Sequence, residues 1–354
     1  MPRTIAALIL IFSLSLFVCA PAWAAPAQDV PDALNEGLKL HEAGKPMEAI
    51  REYDRAIKAD PKLAAAYFNR GNAHYDLGQN TQALRDYNQV LRFNPKDAEA
   101  LYNRGNTNRR LKKDDLALKD FDAAIKLNPE DAKIYVKRGD IHFDAKRYDL
   151  AVKDFSEAIR LDPKNPENFY NRGNGLLGLN RRDDAIKDYD HAISLDAAMT
   201  EAYYNRGIAR AGGGELELAT QDFSQVLNLN PKSAHAFYNR ALAKAQLGQH
   251  EAAVEDYSEA IRLDPKDPEA AFNRGLAFLK IEKYDHAARD FTEVIRIQPG
   301  NADAYVYRGI LRIYQNKGKD AETDLKKAYQ LKPGLKKDLQ PIIDQARAKA
   351  RVKE

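Results

Sequence analysis

The residues with chemistry to offer in this 354-residue chain are 52 aspartates and glutamates, seven histidines and a single cysteine. They could serve acid–base work, metal binding or nucleophilic attack. The histidines, at 41, 74, 142, 191, 235, 250 and 286, form no pair at metal-ligand spacing, so no metal site and no cofactor are predicted. Residues 173–178 read Gly-Asn-Gly-Leu-Leu-Gly, a dinucleotide fingerprint by letter. That motif needs a strand before it and a helix after it, and here it falls inside a helical stretch. No phosphate-binding loop and no Gly-x-Ser-x-Gly elbow occurs. The carboxylates obey a period instead, and so do the arginines.

Arginine is followed by glycine at Arg70, Arg104, Arg138, Arg172, Arg206, Arg274 and Arg308, and by alanine at Arg240, always at multiples of 34 residues. Aspartate keeps the same clock at Asp86, Asp120, Asp154, Asp188, Asp222, Asp256, Asp290 and Asp324. A planar guanidinium fork on a carboxylate holds two helices in register, and an unpaired buried arginine would be costly. These sixteen residues are therefore read as structural ion pairs. Spacing leaves open whether each arginine meets its own repeat's aspartate or the preceding one's.

A second series is asparagine at 35, 69, 103, 171, 205, 239 and 273, interrupted by Lys137 and Tyr307. Beside it runs an aromatic row of Phe68, Tyr102, Tyr170, Tyr204, Tyr238 and Phe272. An amide offers donor and acceptor together, which suits a peptide backbone, while aromatics give contact area at small entropy loss. Asn69, Asn103, Asn171, Asn205, Asn239 and Asn273, with Tyr102, Tyr170, Tyr204 and Tyr238, are the predicted peptide-binding residues. The bland alternative is that the asparagines tie neighbouring helices together or are merely solvated. Glu99, Glu167, Glu201, Glu269 and Asp303 share a nearby slot, broken by Lys133 and His235, so a basic or neutral segment is the expected partner.

The elements that must position these rows are set by the 34-residue clock. Counted from Val30, nine repeats run 30–63, 64–97, 98–131, 132–165, 166–199, 200–233, 234–267, 268–301 and 302–335 without insertion or deletion. Apolar and small residues at spacings of three and four, as in Tyr67, Gly71 and His74, then Ala83, Tyr87 and Val90, give each repeat two helices. Asn94-Pro95, Asn128-Pro129 and Asp162-Pro163 close second helices. Asp97, Asp131, Asn165, Ser233, Asp267 and Asn301 are placed to cap the next ones. At 100° per residue the fourth, seventh, eighth and eleventh slots of the first helix pack. The second, fifth, sixth, ninth and thirteenth look outward.

With mostly an aromatic at the fourth slot, Gly at the eighth, Ala at the twentieth, an aromatic at the twenty-fourth and Pro at the thirty-second, the nine repeats resemble the tetratricopeptide repeat family. The resemblance implies an all-α solenoid, a right-handed superhelix with a concave face that binds protein or peptide partners. The asparagine row is similar to the ladder with which the superhelix of O-linked N-acetylglucosamine transferases grips extended peptide. Related slots form a carboxylate clamp in chaperone-tail adaptors, whose basic trio is matched here only by Lys133 and Lys137.

Flanking the repeats, Arg3, an apolar run over 5–18 and Ala22-Trp23-Ala24 read as a secretory signal peptide over 1–24, with 25–29 as a lead segment. Cys19 and Trp23, the single residues of their kinds, would leave with it, although Cys19 could instead carry lipid. The expected location is periplasmic or secreted. Residues 336–354 are expected to form a basic capping helix or tail, with Leu335, Leu339, Ile342, Ile343 and Ala346 on one side. Its contact with anionic membrane, as part of an envelope assembly factor, is the alternative role. The net charge of +3, with signs interleaved, gives no nucleic-acid footprint. The sequence leaves no room for a catalytic domain, so a non-enzymatic scaffold is expected over a groove enzyme. Gly175, Gly178 and the run at 212–214 mark the expected place of flexing.

Overall fold

The computed structural model of the protein describes residues 29–351. The expected signal peptide with Cys19 and Trp23, the lead segment up to residue 28 and the last three residues lie outside the described residues. All nineteen elements among those described are α-helices. The chain divides into two compact units, one ending at Arg138 and one beginning at Gly139.

The N-terminal unit holds α1 (Asp29–Glu42), α2 (Pro46–Ala59), α3 (Ala64–Asp76), α4 (Asn80–Phe93), α5 (Ala98–Arg110), α6 (Asp114–Leu127) and the start of α7 (Ala132–Asp144). In the C-terminal unit α7 is followed by α8 (Tyr148–Leu161), α9 (Pro166–Gly178), α10 (Arg182–Leu195), α11 (Thr200–Gly212), α12 (Leu216–Leu229) and α13 (Ala234–Gln246). Then come α14 (His250–Leu263), α15 (Pro268–Lys280), α16 (Tyr284–Ile297), α17 (Ala302–Tyr314), α18 (Gly318–Leu331) and α19 (Leu335–Arg351). Odd-numbered helices are the first helix of a hairpin and even-numbered ones the second, up to α18. Within each unit every second helix also packs on the first helix of the next hairpin, as α4 does on α5 and α14 on α15. The fold is an α-solenoid of helix-turn-helix repeats.

A glycine and a ring set the distance between the two helices of a hairpin. A Cβ on Gly71 would stand 2.9 Å from the Tyr87 ring, one on Gly105 2.7 Å from Phe121, and one on Gly173 2.8 Å from Tyr189. Only the residue without a side chain lets the helices close on those rings. The rings are buried, as are Ala83, Ala117, Ala185 and Ala253, which flank them on the second helix. Each ring removed from water contributes on the order of 1.5–3 kcal/mol.

The turn between the helices has one left-handed residue in every repeat, at Gly44, Gly78, Lys112, Lys146, Asn180, Gly214, Gly248, Glu282 and Asn316. Behind it the chain returns its amide to the helix, as in Lys45 N–H to the Leu40 carbonyl and Gln79 N–H to the His74 carbonyl, the closure that ends helices in left-handed caps. The next helix is entered through a side-chain cap where the sequence supplies one. Asp97 accepts from Ala100 N–H, Asn165 from Glu167, Ser233 from Ala236, Asp267 from Glu269 and Asn301 from Ala304.

Two sequence expectations need correction. Gly175 and Gly178 are sites of close packing, not of looseness: a Cβ would meet Val152 at 2.9 Å and the Tyr148 ring at 2.6 Å. The fingerprint-like 173–178 stretch is the last part of α9, with no strand before it. In α19, Leu339, Ile343 and Ala346 pack toward Ile313, Ala321 and Leu325, but Ile342 is 48% exposed. At about 100° per residue, 335, 339, 343 and 346 span roughly 80° of the helix surface, and residue 342 lies just outside the edge of that stripe.

Candidate functional site

The ion-pair ladder resolves the register that spacing left open. Arg70 donates through Nε and Nη2 to the two oxygens of Asp86, at 2.9 and 2.6 Å, within one repeat. The same fork joins Arg104 to Asp120, Arg172 to Asp188, Arg206 to Asp222, Arg240 to Asp256, Arg274 to Asp290 and Arg308 to Asp324. Burial works against the Arg70 charge, but hydrogen bonds to Asp86 and Asp54 outweigh it and raise its pKa.

Sequence reasoning missed the third corner of this ladder. The remaining guanidinium nitrogen crosses to the second helix of the preceding repeat, where it finds Asp54, Asn88, Asp122, Ser156, Asp190, Ser224, Ser258 or Thr292. The signal was present: that slot changes residue type but keeps an oxygen. A fourth partner comes from four residues after the arginine. Arg210, Lys244 and Arg312 reach Asp222, Asp256 and Asp324 at 2.8, 2.7 and 2.6 Å, and Asn108 donates to Asp120 at 3.0 Å.

The asparagines are half-buried, not free on the outward side, and their nitrogens are largely spent on neighbours. Asn205 donates to the Tyr170 hydroxyl and to Asn174 Oδ1, Asn239 to the Tyr204 hydroxyl at 2.9 Å and Asn273 to the Tyr238 hydroxyl at 3.1 Å. Asn103 donates to Asn72 Oδ1 at 3.2 Å, and Asn69 turns back to the Ala65 carbonyl. Where Asn205, Asn239 and Asn273 find a tyrosine one repeat earlier, Asn171 has Val136. The Oδ1 atoms of Asn205, Asn239 and Asn273 receive no hydrogen bond among the described residues.

The aromatic row is likewise half-buried. Tyr102, Tyr170, Tyr204 and Tyr238 lie 5.9–6.1 Å, centroid to centroid, from the ring on their own repeat's second helix. Helical side chains lean toward the N-terminus of their helix, which carries this slot over the hairpin partner.

Asn72 and Asn174 are the nodes that the sequence did not single out. Tyr87 donates its phenol to Asn72 Oδ1 at 2.7 Å, where Asn103 also arrives, and Tyr189 does the same at Asn174 beside Asn205. Burial pushes the Tyr87, Tyr189 and Tyr257 phenols up and Tyr53 to about 12, so all four remain donors at neutral pH. Around Asn72 a cleft of about 330 Å³ is lined by His41, Tyr75, Asp76, Tyr87 and Asn103, with His41 Nε2 2.8 Å from Asp76. A second cleft, of about 530 Å³, lies among Leu242, Ala245, Tyr257, Asn273, Leu276 and Leu279.

Among the described residues no group of three His, Cys, Asp or Glu could hold a metal ion, and no helix is long and apolar enough to cross a membrane. The side chains at these clefts can donate, accept and pack.

Family comparisons match this geometry. A family model described as TPR repeat matches residues 37–78, 71–112 and 243–282. One described as tetratricopeptide repeat matches 115–166, 170–234 and 272–335, half of the chain, and another of that description matches 98–131. No curated protein matches the sequence. Among solved structures, the C-terminal part of a TPR repeat-containing protein from Cytophaga hutchinsonii aligns at 17% identity over 67% of this chain and 97% of its own, with a TM-score of 0.59. A tetratricopeptide repeat protein from Parabacteroides merdae aligns at 21% identity over 72% of this chain and 98% of its own, with a TM-score of 0.51. YrrB, titled a TPR protein with an unusual peptide-binding site, is 27% identical over 51% of this chain and 92% of its own, at a TM-score of 0.47.

Proposed function

We propose that this chain, which belongs to the tetratricopeptide repeat family and is a protein-interaction scaffold, holds an extended segment of its partner against the outward face of its first helices. It does so without catalysing a reaction. The observation that carries this reading is the half-used asparagine row. Tyrosine hydroxyls fix the amide nitrogens of Asn205, Asn239 and Asn273, which leaves a spaced series of immobilised Oδ1 acceptors. Backbone N–H groups spaced several residues apart along an extended peptide suit such acceptors, and little side-chain entropy remains to be lost on binding. Glu201, Glu269 and Asp303 near this row favour a neutral or basic segment.

The test is panning of a random decapeptide phage library on the whole chain, with the selected peptides then measured on Asn205→Ala/Asn239→Ala. Affinity should fall on the order of tenfold or more, since each lost hydrogen bond contributes about 0.5–1.5 kcal/mol. Unchanged affinity with unchanged helicity would make the asparagines scaffolding alone. Export is the second part of the proposal and rests on Arg3, the apolar run 5–18 and Ala22-Trp23-Ala24. A protein recovered outside the cytoplasm with Ala25 at its N-terminus is expected; uncleaved protein retained inside would overturn it.

A further inference from the structure

The internal repeats provide their own control for a site that nothing above assigns. Four repeats place tyrosine on the second helix opposite the glycine slot: Tyr53, Tyr87, Tyr189 and Tyr257. In two of them the first helix supplies the acceptor, Asn72 or Asn174, and the phenol is satisfied. The other two carry Leu38 and Leu242 at that position. Tyr53 Oη is then sealed without a partner. Tyr257 is as buried as the other three and borders the 530 Å³ cleft, but its hydroxyl has no partner among the described residues and, unlike Tyr53 Oη, is not sealed from solvent.

Three further features make this place unlike its siblings. Ala241 occupies the slot where the other repeats with a ring opposite have glycine, so its methyl group meets the ring at the point of closest approach. The walls include Leu242 and Ala245, where the second repeat has Asn72 and Tyr75, together with Leu276 and Leu279 of the next repeat. His250 Nδ1, buried at the cleft, also lacks a partner.

We propose that the Tyr257 cleft is the anchor site of the scaffold, taking one apolar side chain of a bound polypeptide while a carbonyl oxygen of the same segment accepts from the Tyr257 hydroxyl, the role that Asn72 Oδ1 plays for Tyr87 in the second repeat. The internal template states the ligand's chemistry: a hydrogen-bond acceptor on a phenol donor, beside a body that fits among leucines. Leucine, methionine or phenylalanine meets that need. A lysine at the same point would be desolvated beside Lys280, with no carboxylate in the lining. This inference rests on the peptide-binding reading above and adds a fixed point to it, since the asparagine row alone reads backbone and sets no register.

Leu242→Asn rebuilds the internal acceptor, and Asn72 and Asn174 show that the fold accepts asparagine there. Decapeptides selected on the wild-type chain should share one large apolar residue and should bind Leu242→Asn at least tenfold more weakly and Tyr257→Phe roughly fivefold more weakly, one hydrogen bond's worth. A thermal melt of each variant guards against misfolding, and Leu242→Phe, which fills the cleft without supplying an acceptor, should also weaken binding. If the peptides lose affinity on Asn205→Ala/Asn239→Ala but keep it on Leu242→Asn and Leu242→Phe, the anchor is overturned and the peptide-binding reading stands. If the wild-type chain selects no peptide, both fall.

Discussion

The second and seventh repeats are built on one plan and finish it differently. Both hold a tyrosine on the second helix, an arginine fork on the aspartate before it and an asparagine arriving from the next repeat. In the second repeat Asn72 collects the loose donors and the cleft around it is small and polar. The seventh has Leu242 instead, and its cleft is larger and more apolar, with a tyrosine hydroxyl that has no internal partner on its edge. A repeat fold can therefore generate a binding site by deleting one internal partner, leaving the backbone unchanged.

The largest effect expected on that comparison comes from the carboxylates. Asp256 is held by Arg240 and by Lys244 at 2.7 Å, whereas Asp86 has Arg70 and only a distant His74 at 4.0 Å. Removing one member of a buried pair costs about 3–5 kcal/mol. Asp256→Ala should fall in that range and exceed Asp86→Ala in urea unfolding, because it strands two cations. Equal losses would mean that the fourth partner contributes nothing.

Next in size is Asn72→Leu, which imposes the seventh repeat's solution on the second. Tyr87 and Asn103 lose their common acceptor, and a loss of about 1–3 kcal/mol is expected in the same assay. A neutral result would show that the hydrogen-bonded node is not what separates the two repeats. The smallest effects belong to the turns, where the two repeats agree: Gly78 and Gly248 both have positive φ. Alanine at either should cost about 1–2 kcal/mol and by the same amount, while Glu282→Gly in the eighth repeat should gain about 1 kcal/mol or less. Unequal costs at Gly78 and Gly248 would mean that the difference between the repeats extends beyond the slots at 241 and 242.

The hairpins, their caps and the arginine–aspartate ladder were legible in the sequence because each rests on one residue type, or for the caps one kind of short acceptor, recurring at one slot. The registers were not, because a period assigns a residue to a face without saying which neighbour lies across from it. Thus Asp86 was paired in kind with Arg70, while Asp54 and Ser156, reached by the same arginine series, were overlooked behind a change of type. The asparagine row was read as facing outward, but Tyr170, Tyr204 and Tyr238 one repeat earlier hold its nitrogens. Asn72 and Asn174 carried a readable signal, since asparagine appears opposite tyrosine, but two cases among nine repeats do not form a series. Gly175 and Gly178 were taken for weakness because helix propensity says nothing of what packs against the gap.

The arginine's crossing to the preceding repeat also grades the seams of the C-terminal unit. Arg206 crosses to a carboxylate, Asp190, but Arg172, Arg240, Arg274 and Arg308 cross only to the hydroxyls of Ser156, Ser224, Ser258 and Thr292. Pulled from its ends, that unit would part along the hydroxyl seams before the carboxylate one. The anchor cleft sits among those weaker seams, so a tethered partner under tension would loosen the very region that grips it, and the scaffold would behave as a mechanical fuse.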